Sequence, residues 1–416
     1  MLRFGFFVTP HVGGPFSVYR QLRSGLDRYG VELRWIGPAD RELISDQKWA
    51  DEFTKGVAIE SRAAHDQRRQ ARDIISTIGS EGLDGVFVNV LTDRVSTNVA
   101  RYLPAEILRI MVVHSITPGT YAAARAIKYH VHATVGVSER CRRDLVGRCG
   151  FPPSRTIAIA NAVGVVEDRV SAAPSPRNGL KVLFVGRIEE GSKGVLWLPK
   201  IIRSLPEEIT LTIAGDGPDL SRLRAALADL RSRVRLLGSV QPEGVADLLS
   251  SHDALIMPSR WEGMPMSLVE AMAAGCVPVA SRISGVTDSV VEHGRDGLLF
   301  PVGAWQQAAS HLLELRDDPR KLRALSEAAR LKARASFSQE RMAASYMQLI
   351  ERLRQDPPEI APPLPLREWH IPRGLRTSLR SYVPEPIKNA LRVVRENAQS
   401  ARAKRRTIVV GEANEA

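Results

Sequence analysis

Short apolar runs alternate with amphipathic stretches along this chain, and the pattern is played out twice. LRFGFFV, VELRWI, DGVFVNV, ILRIMVV, HATVGV and RTIAIA come before residue 165, and LKVLFVGRI, EITLTIAG, RVRLLG, ALIMP, VPVAS and GLLFP come after residue 178. Apolar runs bounded by helical or turn sequence read as strands of doubly wound α/β units. A chain of 416 residues also exceeds the roughly 250–300 residues at which a single core stops growing, so two such units are expected. SAAPSPRNG, rich in Pro, Ser and Gly, reads as the linker between them. In the first eighty residues a helical pattern spans Phe16 to Tyr29, and a polar helix is expected around residues 60 to 78. DPPEIAPPLPL is expected to end the folded body, because its prolines exclude a helix interior and a central strand.

Composition narrows the function classes. Hydrophobic residues at 44% and charged residues at 25% are the balance of a soluble globular protein. MLRFGFFVTP lacks the long apolar run and small-residue cleavage site of a secretory signal, and a cytoplasmic location is expected. Cys141, Cys149 and Cys276 have neither metal-ligand spacing nor the even count of a disulfide framework, and read as bland thiols. The net charge of +12 is concentrated: Leu366 to Arg406 holds eleven Lys and Arg against three Glu. A basic tail without a recognition motif argues against nucleic acid as a partner. The tail carries an apolar stripe of Ile387, Leu391 and Val394 flanked by Lys388, Arg392 and Arg395. Two readings of it stand, a helix lying on an anionic membrane and a solvated basic helix or arm.

Two motifs carry the chemistry. VGRIEEGSKG places Arg187 and Lys193 just after a strand, at the carboxyl edge where open α/β sheets bind ligands. Cations there suit a site that must stabilise a phosphate leaving group. RWEGMPMSLVEAMAAGCVPVAS sets Glu262 and Glu270 eight positions apart, with Gly263 in a loop and a helix opening near Pro265 or Met266. The free N–H groups of that helix end form an anion site, and Glu270, about one turn in, can accept hydrogen bonds from a ribose diol. TPHVGGPFSVYRQL puts Gly13 and Gly14 between a strand and a helix, and His114 ends the strand ILRIMVV.

With AGDGPDLSRL, SERCRRDL and HGRDGLLF in order around them, these motifs resemble the retaining glycosyltransferases of family 4, which have the GT-B fold. The resemblance covers roughly residues 1–353. It implies an α/β protein of two Rossmann-like doubly wound domains facing a central cleft, with a C-terminal helical tail. The expected organisation is an acceptor-side domain over 1–170, a nucleotide-sugar-binding domain over 178–336, a helix over 337–355 that crosses back to the first domain, and a Pro-rich linker and basic tail over 356–416.

The resemblance further implies a hexosyl transfer with retention, from a nucleotide-diphosphate sugar to a glycan, lipid-linked or small-molecule acceptor in cell-surface polysaccharide or glycolipid assembly. Arg187, Lys193, Glu262 and His114 would be catalytic. Gly13, Gly14, Gly186, Gly263, Met264, Pro265, Met266 and Glu270 would hold the donor. No cofactor is implied beyond the donor as co-substrate. No Asp-x-Asp motif occurs, so no essential metal is expected. The protein would work in the cytoplasm or at the inner face of the membrane. The sequence departs from the family in IANAV, where Asn161 and Ala162 replace Asn-Gly, and in SGVTDSV, where Asp288 stands for a Glu. A GT-B epimerase or phosphorylase and a non-catalytic sugar-nucleotide-binding protein are the alternatives.

Overall fold

In the computed structural model, the described residues are 1–11, 13–60, 66–90, 93–164, 179–376, 383–384 and 387–398. They fall into two compact units. The first runs to Gly164 and is rejoined at Gln339; the second ends at Ser338 and is rejoined by a helix in the tail. The linker SAAPSPRNG lies outside the described residues apart from its last glycine, as does the tail beyond 398.

The first unit is a seven-stranded parallel sheet of order β3-β2-β1-β4-β5-β6-β7. Its strands are β1 (Leu2–Phe7), β2 (Val31–Ala39), β3 (Gly56–Glu60), β4 (Gly85–Val90), β5 (Leu108–Val113), β6 (Ala133–Gly136) and β7 (Thr156–Ala158). Helix Gly14–Asp27 stands where periodicity puts it; the polar helix expected around residues 60 to 78 is Gln67–Ser80, because Glu60 ends a strand and residues 61–65 lie outside the described residues. The sequence gives no sign of β3, which is a short edge strand paired only with β2. Phe4, Phe6 and Phe87 form the aromatic centre of the core, with ring centroids 5.5–5.7 Å apart.

The helix Gln339–Gln355 closes one face of this sheet. Met342, Ala343, Tyr346, Leu349, Ile350 and Leu353 recur at helical spacing and are all buried. Tyr346 meets Phe87 edge-on at 5.5 Å. Gly25 allows the close approach, since a Cβ there would lie 2.7 Å from that of Ala343.

The Pro-rich stretch does not end the folded body. Ala361 donates its N–H to Tyr129 O at 2.7 Å, Leu364 donates to Arg101 O at 2.8 Å, and Trp369 packs on Tyr102 at 4.7 Å. Prolines exclude helix and central strand, but an extended chain between them keeps its remaining N–H groups free for surface carbonyls.

The second unit is a six-stranded parallel sheet of order β10-β9-β8-β11-β12-β13. Its strands are β8 (Leu180–Val185), β9 (Ile209–Ala214), β10 (Val234–Gly238), β11 (Ala254–Met257), β12 (Val277–Arg282) and β13 (Leu298–Pro301). In each sheet the strand order reverses once, between β1 and β4 and between β8 and β11. Open α/β sheets offer a ligand crevice at the carboxyl ends of such strands. Helix Met266–Ala274 follows β11 and ends at Gly275, whose φ of 79° is the left-handed turn that lets β12 begin at once. Ser326, on helix Pro319–Ser336, donates to the carbonyl of Gly275 at 2.6 Å and fixes that turn. All three cysteines are reduced and buried, and burial holds each thiol above its ordinary pKa, Cys141 at about 12.

Candidate active site

The second unit builds its site where its strand order reverses, from the loops after β8 and β11. Two ion pairs join those loops. Lys193 Nζ lies 2.6 Å from Glu262 Oε1, and the same oxygen accepts from Ser259 Oγ at 2.6 Å. Arg260 pairs with Glu190 at 2.5 Å, donates to the Glu190 carbonyl, and stacks its guanidinium 4.0 Å from the centre of the Trp197 ring. The backbone is tied as well, Arg260 N to Ser192 O at 2.7 Å. Glu262 and Arg260 are buried, and buried charges persist only when paired and hydrogen-bonded.

Lys193 ends the one-turn helix Glu190–Lys193, and the chain then reverses at Gly194 with φ 62°. A Cβ on Gly194 would lie 2.5 Å from Pro258 O, so the Lys-Gly sequence reflects both the turn and the nearness of the β11 loop. A Cβ on Gly186, in the same loop, would lie 3.9 Å from Lys193 Cε. Arg187 is exposed, with no side-chain partner among the described residues.

Gly263 and Met264 lead from Glu262 to Pro265, which caps helix Met266–Ala274 without a side-chain hydrogen bond. No acidic residue occupies the first turn, so the leading N–H groups keep their positive end uncompensated. Glu270 projects from the second turn. Its carboxylate has no partner among the described residues, and desolvation raises its pKa to about 6. An ionisable acceptor kept unpaired and partly dry is unfavourable for folding alone, and it suits a site that a hydroxyl-bearing ligand completes.

The first unit holds the remaining expected residues. Gly13 precedes helix Gly14–Asp27, whose first turn again lacks a side-chain cap. His114 follows β5, beside β4. Asn89 donates from Nδ2 to Phe7 O at 3.0 Å, which turns its Oδ1 toward His114 Nε2 at 2.7 Å. Burial lowers the imidazole pKa to about 4, so the ring is neutral, Nε2–H donates to Asn89, and Nδ1 is left as an acceptor.

The structure therefore joins Lys193 to Glu262 and sets Gly186, Gly263, Met264, Pro265, Met266 and Glu270 along the same two loops and helix. Gly13, Gly14 and His114 belong to the other unit. Ser259, Asn89 and the Glu190–Arg260 pair lie outside the residues that the sequence motifs single out. An asparagine inside the apolar run DGVFVNV was the visible signal for Asn89. Of the two family departures, Asp288 accepts from Gly285 N at 2.6 Å and holds its own turn, while Asn161 and Ala162 are buried in the first unit.

Two Rossmann-like doubly wound units, with cations and an open helix end where the strand order of the second reverses, define a GT-B protein. Solved structures with this fold include Anabaena Alr3699/HepE in complex with UDP-glucose, at TM-score 0.71 and 17% identity over 85% of this chain and all of that one. Sucrose-phosphate synthase from Thermosynechococcus elongatus matches at TM-score 0.71 and 18% identity over the same shares. Residues 179–318, within the second unit, match the sequence model of the family described as glycosyl transferases group 1.

Among curated relatives, the phosphatidyl-myo-inositol mannosyltransferase of Mycobacterium tuberculosis is 36% identical over 176 residues, 40% of this chain and 45% of the relative. The amylovoran biosynthesis glycosyltransferase AmsK of Erwinia amylovora is 32% identical over 185 residues, 42% and 45% of the two chains. The match thus spans less than half the length of these relatives.

Proposed function

We propose that this protein is a retaining glycosyltransferase that moves a hexosyl group from a nucleotide-diphosphate sugar to a glycan or lipid-linked acceptor, in polysaccharide or glycolipid assembly at the inner face of the membrane. One observation carries the reading. The Lys193–Glu262 pair, the uncapped end of helix Met266–Ala274 and the unpartnered Glu270 follow one another along two adjacent loops. That is the order in which a donor presents sugar, diphosphate and ribose. The names of the similar proteins, a mannosyltransferase and a structure holding UDP-glucose, support the same class of donor.

On this reading Lys193 keeps two N–H donors for the diphosphate while the third engages Glu262, and exposed Arg187 supplies the second cation. These cations take the place of a divalent ion. Helix N–H groups from Met266 onward bind phosphate oxygens, and ionised Glu270 accepts from the ribose diol. His114 Nδ1 accepts from a sugar hydroxyl. As the bond from the anomeric carbon to the phosphate oxygen breaks, an oxocarbenium-like sugar forms and charge grows on the diphosphate, where the cations stabilise it. The acceptor hydroxyl attacks from the face that the diphosphate leaves, and its proton passes to the departing phosphate oxygen.

A panel of nucleotide-diphosphate sugars, assayed for binding and for slow donor hydrolysis, tests this. Wild type should select one donor, and Lys193→Ala should lower its turnover by about 10²–10³. Hydrolysis should be unchanged by a chelator. Failure to bind any donor would favour the non-catalytic alternative, and near-normal turnover in Lys193→Ala would remove that residue from the mechanism.

A further inference from the structure

The helix over residues 387–398 lies on the second unit with its faces in reverse of the usual order. A surface helix ordinarily turns its apolar stripe to the protein and its charges to water. Here the inward side carries polar groups beside half-buried Val393. Arg392 donates from Nη1 to Gly191 O at 3.1 Å and places its guanidinium 5.3 Å from the centre of the Trp261 ring. Asn397 donates to Val302 O at 3.2 Å, and Glu396 is only 5% exposed. At 3.6 residues per turn, Ile387, Leu391 and Val394 fall on the opposite face, where they are 53%, 64% and 68% exposed.

Such a stripe calls for a cover, and charge decides which kind. Lys388 and Arg395 border it on one side, and the sequence immediately after the helix adds Arg402, Lys404, Arg405 and Arg406 with no acidic residue among 399–406. A second copy meeting the stripe by two-fold symmetry would bring these cations against their own images. An anionic bilayer complements them and takes up the apolar side chains at its headgroup boundary.

We propose that the outer face of this helix is a contact for an anionic lipid bilayer. Its inner face rests on Gly191 and Trp261, which adjoin the loops of Lys193 and Glu262, so the bilayer lies beside the donor-binding loops. The acceptor class that fits is one carried in that bilayer, a lipid-linked glycan or glycolipid. This acceptor assignment rests on the sugar-transfer reading, whereas the lipid contact does not.

The test is sedimentation of the full chain with phosphatidylcholine vesicles, and with vesicles that also contain phosphatidylglycerol, at low and high salt. The comparison is the triple variant Ile387→Ser, Leu391→Ser, Val394→Ser, with donor binding measured in parallel. Wild type should sediment with the anionic vesicles alone and be released by salt, and the variant should lose at least tenfold in partitioning while binding donor normally. Equal partitioning of the two proteins, or none by either, overturns the proposal. So does a wild-type dimer that the variant abolishes without any vesicle binding. Loss of donor binding by wild type itself would instead count against the sugar-transfer reading.

Discussion

Lys193 and Glu262, sixty-nine positions apart in sequence, share a 2.6 Å contact that makes the loops after β8 and β11 one charge-compensated body. The ammonium group of Lys193 is thus held in place by the protein's own carboxylate.

Lys193→Met should leave the Glu262 carboxylate buried beside only Ser259 and cost about 1–3 kcal/mol of stability, below the full price of a broken buried pair because Lys193 is partly exposed. Adding Glu262→Gln should restore much of that loss. Urea denaturation of the four-member cycle checks it, with an expected coupling of about 0.5–3 kcal/mol. Strict additivity would mean that the two side chains act independently.

Glu270 should make both stability and nucleotide binding depend on pH, in opposite directions. Its folded pKa of about 6 lies above the ordinary 4.5 of a free Glu because burial desolvates the carboxylate, so the ionised form is penalised in the native state. Stability contributed by the protonated carboxyl is complete below about pH 4.5 and is lost as pH rises through 6. Glu270→Gln should therefore melt at a higher temperature than wild type at pH 7.5 and at the same temperature near pH 4. If ionised Glu270 accepts from the ribose diol as proposed, nucleoside-diphosphate affinity should rise from pH 5 to 7 in wild type and stay flat and weak in the variant. Calorimetric titration and melting across that range read both effects.

Asn89→Asp should change the charge of His114. A carboxylate 2.7 Å from Nε2 favours the imidazolium, so the pKa now held near 4 by burial should climb past the ordinary value of 6.5. Imidazole NMR signals, assigned by comparison with His114→Gln, report it directly. Transfer at neutral pH should fall in the same variant, because the bare Nδ1 acceptor is gone. An unmoved titration would mean that Asn89 does not set the state of the ring.

Arg392→Ala should loosen the tail helix, since its guanidinium supplies both the Gly191 hydrogen bond and the contact with Trp261. Together such contacts contribute about 1–2 kcal/mol, equivalent to roughly tenfold in docking. Faster limited proteolysis within residues 387–398, with the rest of the chain resistant, is the expected sign.

Much of this was legible in the sequence. Central parallel strands buried on both faces, such as β4, β5, β11 and β12, leave unbroken apolar runs and announce themselves, and the strand-loop-helix order fixes which residues stand at the carboxyl edges. The edge strand β3 did not, because a five-residue strand paired on one side only needs no strong apolar signal. Periodicity also found the stripe of Ile387, Leu391 and Val394 but not its direction. Which face a helix turns inward depends on partners such as Gly191 and Trp261, far away in the chain. The same distance hid the pairing of Lys193 with Glu262 and of Glu190 with Arg260, although each residue type was conspicuous where it stood.

The burial of Cys141, Cys149 and Cys276 has a practical corollary. Thiols that are shielded and resist deprotonation react slowly with maleimides and iodoacetamides at neutral pH. The native chain is therefore its own unreactive background. One cysteine introduced on the exposed face of helix Gln67–Ser80 and another on that of helix Pro319–Ser336 would take a fluorophore pair without prior removal of any natural residue. The distance between those two labels can then be followed in single molecules as each nucleotide-diphosphate sugar is added.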